Sequence, residues 1–305
     1  MGNTSYNFDA RTSRASLMNY ATKSADQIFT QKKEGKINEG MNPKGLNKRE
    51  CFDSETHPNT IAILLGLDHT GSMGRVPLEL VRDGLPHLMS GLIGKGLTDA
   101  AVCFVPVGDH YYDKYPLQVA QFESGDEELD HWLTKSILEG GGGANGGESY
   151  MLTWLVAARH TNIDCFTKRG KKGYCITVGD EPCHPILEGA VINQILGTPA
   201  EDMTTEKLLA EAQKMYHVYH IHLGNEGLRE WQSRLGENCI HINHNDHEKV
   251  PGLIIDLIMR REAAHVPLTS PKKETPKETE VIDGKVTTTE EEETQQGDTK
   301  PPIML

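Results

Sequence analysis

Asp68, Thr70 and Ser72 alternate along one short stretch, Asp68-His69-Thr70-Gly71-Ser72. Three oxygen-bearing side chains spaced in this way can converge on one point. Oxygen-only donors suit a hard divalent cation, Mg²⁺ first, with Mn²⁺ or Ca²⁺ as alternatives. The same residue types also suit the start of a helix, where Thr and Ser cap the first turn and Asp complements the helix dipole. Other loops must decide between the two readings.

The elements that would position this stretch are legible. Residues 61–67 form a continuous apolar run, which reads as a strand buried on both faces of a parallel sheet. A helical pattern over 77–93 follows, with Pro77 at its start. The polar cluster therefore falls on a strand-to-helix loop at the carboxyl end of a strand, where open α/β sheets bind ligands. Further strands are expected over 101–107, 173–178, 218–222 and 239–242, with a short antiparallel edge strand over 117–122. Helices are expected over 127–138, 150–158, 185–196, 205–216, 228–235 and 250–264. Alternating strands and helices predict an α/β fold: a doubly wound, mostly parallel sheet flanked by helices in three α/β/α layers. Residues 1–57 read as a polar N-terminal arm, with one amphipathic helix over 16–29. Residues 58–264 form the domain. Residues 265–305 read as a disordered acidic tail, because Pro, Lys, Glu and Thr leave too little apolar surface to offset ordering entropy.

The Asp-x-Thr-x-Ser stretch resembles the von Willebrand factor A (VWA) family, whose metal-ion-dependent adhesion site (MIDAS) opens with Asp-x-Ser-x-Ser. Here Thr70 keeps the hydroxyl of the first Ser. Asp180, in Gly179-Asp180-Glu181-Pro182 after the strand at 173–178, stands where the family completes its site with an Asp. The middle loop departs from the familiar members, which use a Thr. It runs Gly140-Gly141-Gly142-Gly143-Ala144-Asn145-Gly146-Gly147-Glu148-Ser149. That resembles the branch containing integrin β subunits, in which a Glu contributes to the metal. Carried over, Glu148 is the second-loop ligand and Asn145 replaces an Asp, which puts an adjacent second ion site in doubt. The resemblance thus implies one cation held by Asp68, Glu148 and Asp180, with the hydroxyls of Thr70 and Ser72. It also implies an open coordination position filled by an acidic side chain of a protein partner. Intracellular members often work with AAA+ ATPases, which gives a partner class. The expected function is a metal-dependent protein-binding module, with no catalytic residues assigned.

Other classes compete with this one. A metal-assisted phosphohydrolase would use the same strand ends, but Thr70 stands where the haloacid-dehalogenase pattern has its second Asp. A structural assembly protein with a vestigial site is the third reading. Asp109 and Asp113 could rim the same face. His220, His222, His241, His244 and His247 invite zinc but lack a His-Glu-x-x-His spacing. Cys183-His184 is a poor nucleophile pair, since sequence neighbours rarely face each other. Formal net charge is −13 with Glu290 to Glu293 in one run, so no basic footprint supports nucleic-acid binding. Six scattered cysteines without a Cys-x-x-Cys pair, no secretory leader and no apolar run long enough for a bilayer lead to the expectation of a reducing, cytoplasmic setting with no membrane contact.

Overall fold

The apolar run that begins at Ile61 is an interior strand of the main sheet in the computed structural model, which describes residues 4–140 and 146–265. Asn145, residues 141–144 and the acidic tail lie outside the described residues. In chain order the strands are β1 (Arg49–Cys51), β2 (Ile61–Asp68), β3 (Ala100–Val107), β4 (Thr161–Ile163), β5 (Gly173–Gly179), β6 (Ile186–Leu187), β7 (Met203–Thr204), β8 (Tyr216–Leu223) and β9 (Cys239–Ile242). Five of them form the main sheet, in the order β3-β2-β5-β8-β9 and parallel throughout. Every residue of β2, β3 and β5 is buried, as expected for strands covered by helices on both faces. The fold is α/β, a mostly parallel sheet between helices. From β2 the chain first moves out to β3 on one side and then returns to β5 on the other. The crevice between the carboxyl ends of β2 and β5 is therefore the topological switch point.

Residues 117–123 lie antiparallel along the outer edge of β3, close to the expectation of an edge strand. Gln118 N–H donates to the Pro106 carbonyl (3.0 Å) and Ala120 N–H to the Phe104 carbonyl (2.9 Å). Only isolated bridges form there, Val107 with Leu117 and Val102 with Glu123. Pro106 explains the gap, because it has no N–H to return to this segment. The helix expected over 77–93 runs from Arg75 to Gly94 with a π turn at Leu80–Gly84, where Leu85 N–H reaches the Leu80 carbonyl. Pro86, next in the chain, cannot donate and crowds the preceding turn, and widening the helix accommodates it.

The single helix expected over 16–29 is not what forms. Helices Phe8–Leu17 and Ala25–Ile28 are separated by a turn in which Asn19 takes a left-handed φ of 54°. The arm is integrated into the fold. Its β1 pairs in parallel with β4, two short strands that the sequence does not announce. Tyr20, Phe29, Met41 and Cys51 are buried in the common hydrophobic core. Arg11 is also buried, and donates to the Val81 carbonyl while lying 3.5 Å from Asp130. Tyr20 adds a 3.0 Å hydroxyl bond to the same carboxylate, so a buried charge is paired from the arm to the helix Asp126–Thr134. All six cysteines are free, five of them buried, as small apolar residues of the core. No helix among the described residues is long and apolar enough to cross a membrane.

Candidate functional site

β2 ends on Asp68, and Asp180 directly follows β5, so the two carboxylates stand on either side of the switch point. Asp68 is 1% exposed. Its Oδ1 accepts from the Thr70 N–H (2.8 Å) and the Thr70 hydroxyl (2.6 Å), a local turn that fixes both side chains. Its Oδ2 accepts from the Tyr150 hydroxyl at 2.6 Å. Tyr150 approaches over Gly179, where any Cβ would collide with the phenol, so glycine at the end of β5 is what allows this bond. Ser72 lies exposed at the mouth of the loop.

Glu148 is buried in the segment preceding the helix Met151–Arg159. Its backbone is tied to the loop after β5: Glu148 N–H donates to the Pro182 carbonyl (2.9 Å) and His184 N–H to the Glu148 carbonyl (3.1 Å). Gly140 N–H donates to the His69 carbonyl and Ser149 N–H to the Gly108 carbonyl, both at 3.3 Å. The loops following β2, β3 and β5 and the segment before that helix are thus laced together by backbone bonds.

The acids are gathered with histidines as basic neighbours: His244 Nδ1 lies 3.7 Å from Asp180 Oδ2 and His184 Nε2 lies 3.0 Å from Asp109 Oδ1. Burial pushes the Asp68 carboxyl up to about 7, with Asp180 adding to the rise and the Thr70 and Tyr150 bonds opposing it. Glu148 is pushed up to about 10, by burial first and then by Asp68, Asp109, Asp113 and Glu181. Glu148 Oε2, Asp180 Oδ1 and Asp109 Oδ2 are buried with no hydrogen-bond partner. Unpartnered buried carboxylate oxygens are costly unless a cation or proton satisfies them. This donor set fits a hard divalent cation, for which Asp68, Glu148, Asp180 and the hydroxyls of Thr70 and Ser72 are the candidate ligands.

Beside these acids stands a set that the sequence alone does not assemble. One ligand atom each from Asp109, His110 and His184 lie within 4.8 Å of one another. Among the described residues Asp68, Glu148 and Asp180 do not meet that spacing; what links them is electrostatic, Asp180 raising Asp68 and Asp68 raising Glu148. Asp109 is recognisable in the sequence as a strand-end acid, but its histidine partners come from two different loops and carry no spacing signal. Tyr150 reads in the sequence only as the start of a helix.

Cys183, His220 and His69 are occupied by packing and local contacts. Burial raises the Cys183 thiol to about 12, and His184 Nε2 lies 3.0 Å from Asp109 Oδ1, so Cys183 is no activated nucleophile. His220 stacks on Trp231 with ring centroids 3.6 Å apart, and its Nδ1 lies 2.8 Å from Thr177 Oγ1. His69 places Nδ1 3.0 Å from the Ile137 carbonyl, and burial lowers its pKa to about 4.

No protein-family model matches the chain, and no curated protein matches it in sequence. Solved structures do match in part. The pilus adhesin SpaC from Lactobacillus rhamnosus GG, in its open conformation, gives a TM-score of 0.46 at 11% identity, over 72% of this chain and 31% of that one. Proximal thread matrix protein 1 from the mussel byssus gives 0.44 at 11% identity, over 69% of this chain and 49% of that one. The same mussel protein with a zinc-occupied MIDAS motif gives 0.42 at 12% identity, with the same two coverages. The chain thus spans about a third to about a half of the length of these structures.

Proposed function

We propose that this chain is a metal-dependent protein-binding module of the von Willebrand factor A type, in the variant that uses a Glu from its second loop. The observation that carries the reading is the set of buried carboxylate oxygens, on Glu148 and Asp180, that have no partner beside Asp68 at the switch point. Asp68, Glu148, Asp180, Thr70 and Ser72 would hold Mg²⁺, with Mn²⁺ or Ca²⁺ as alternatives. Once bound, the cation supplies the positive charge these acids lack and a coordination position for an outside oxygen.

The chain's own residues do the positioning. Thr70 and Tyr150 aim the Asp68 carboxylate from opposite oxygens. The exposed Gly71 and Ser72 leave the loop open to solvent. A partner that offers an Asp or Glu side chain at this mouth is the expected ligand, in a cytoplasmic assembly of the kind built around AAA+ ATPases. The hydrolase reading is less well served, because His69 is held at the Ile137 carbonyl and His184 at Asp109. The test is capture of partners on the immobilised full chain in Mg²⁺ and in EDTA, with Asp68→Ala as the control. The expected result is a set of proteins retained in Mg²⁺ and lost both in EDTA and on the variant. An identical set under all three conditions would reject the proposal.

A further inference from the structure

We propose that Asp109, His110 and His184 form a three-ligand transition-metal site of the zinc class, distinct in its donors from the oxygen-lined switch point, with Glu188 beside His110 as the acid that supports it. It shares no ligand with Asp68, Thr70, Ser72, Glu148 or Asp180, and it stands whether or not those residues bind a cation. Asp109 and His110 follow β3, His184 lies in the loop after β5, and Glu188 stands just before the helix Gly189–Leu196. Two stretches distant in sequence, 109–110 and 184–188, therefore meet here.

The spacing is short enough for a metal to take the place of two histidine–carboxylate contacts. Tetrahedral zinc, with bonds of about 2.0–2.2 Å, sets its ligand atoms about 3.3–3.6 Å apart. His184 Nε2 lies 3.0 Å from Asp109 Oδ1, and His110 Nε2 lies 3.5 Å from Glu188 Oε2. The first pair would open by a few tenths of an ångström, and the second is already at the required separation. Asp109 Oδ2 is buried with no hydrogen-bond partner, and His110 Nε2 and Glu188 Oε2, also buried, have only each other. Asp109 is 1% exposed, so its free oxygen has no solvent to fall back on.

The surroundings hold each donor in place. His110 Nδ1 is 2.7 Å from Ser149 Oγ, and a proton on Nδ1 donated to that hydroxyl leaves Nε2 with its lone pair outward. Tyr111 N–H donates to Asp109 Oδ1 (3.0 Å), and the Tyr111 hydroxyl donates to Glu188 Oε1 (2.9 Å). The His184 ring lies against Gly147, where a Cβ would come within 2.8 Å of Cε1 and Nδ1. Gly147, just before Glu148, is thus the residue that lets the imidazole lie flat in the site. Two imidazole nitrogens among carboxylates favour Zn²⁺ or Co²⁺ over Mg²⁺ and Ca²⁺, whose preferred donors are all oxygen. The two sites therefore separate the two classes of cation by donor chemistry.

The test is a Co²⁺ titration of the full chain in excess Mg²⁺, read by the visible absorption bands of low-symmetry Co²⁺, followed by displacement with Zn²⁺. The expected result is one strong equivalent whose bands Zn²⁺ abolishes. His110→Ala and His184→Ala are expected to remove it, and Glu188→Gln to weaken it by about ten-fold or more. Asp68→Ala is expected to retain it, and this keeps the outcome independent of the proposed module function. Melting curves in EDTA establish that each variant folds, and the half-exposed Glu188 supplies a change that leaves the packing alone. Absence of the bands in the wild-type protein, or their survival in His110→Ala and His184→Ala, would overturn the assignment.

Discussion

Glu148→Gln is expected to make the cation-free protein more stable at pH 8 while erasing its response to Mg²⁺. The carboxyl is held near 10 in the folded chain by burial and by Asp68, Asp109, Asp113 and Glu181, against an ordinary value of 4.5. A raised acid pKa means that the folded state keeps its proton while the unfolded state releases it. The resulting penalty is absent below about pH 4, grows as pH rises above the unfolded value and levels off near 10. Asp68 adds a penalty of the same sign that levels off near 7. Asp68 and Glu148 raise each other, so the penalty at pH 8 belongs to the pair, and removing one acid relieves both. Glutamine keeps the shape and has no proton to lose. Melting temperatures in EDTA should therefore favour the variant at pH 8 by several degrees and converge with wild type near pH 4. A variant less stable than wild type at pH 8 would show that Glu148 serves the fold rather than a cation.

Removing residues 1–57 is expected to abolish cooperative unfolding altogether. The truncation takes Tyr20, Ile28, Phe29, Met41 and Cys51 out of the core. At about 1.5–3 kcal/mol for each large apolar side chain, the loss approaches the whole of a domain's usual stability, about 5–15 kcal/mol. It also leaves Asp130 buried without Arg11 and Tyr20, and strips β1 from β4. A sharp thermal transition in the truncated chain, near the wild-type temperature, would show that the arm only lies on a domain complete without it.

The sheet is legible in the sequence because its strands are continuous apolar runs, and such runs have few other uses. Residues 61–67, 101–107, 173–178, 218–222 and 239–242 all fall inside strands of the structure. The arm is harder to read. Its buried groups include Arg11 and Gln31, which look like surface residues until a distant carboxylate or neighbour is supplied. β1 and β4, at three residues each, carry too few side chains to show a period. At the site, Asp68, Thr70 and Ser72 are readable because one loop holds all three. Tyr150 has no such signal: its role depends on Gly179 in another strand leaving room for the phenol. The Asp109–His110–His184 set is unreadable for a related reason, since two distant loops meet only through the order of the sheet.

The most direct measurement is a calorimetric titration of Mg²⁺ into the full chain and into Asp68→Ala, with Zn²⁺ first saturating any nitrogen-containing site. Saturable binding of one Mg²⁺ to the wild-type protein, absent from the variant while its melting curve in EDTA stays cooperative, is the predicted result. Equal heats for the two proteins, or no saturable heat in either, would contradict a cation at the ends of β2 and β5.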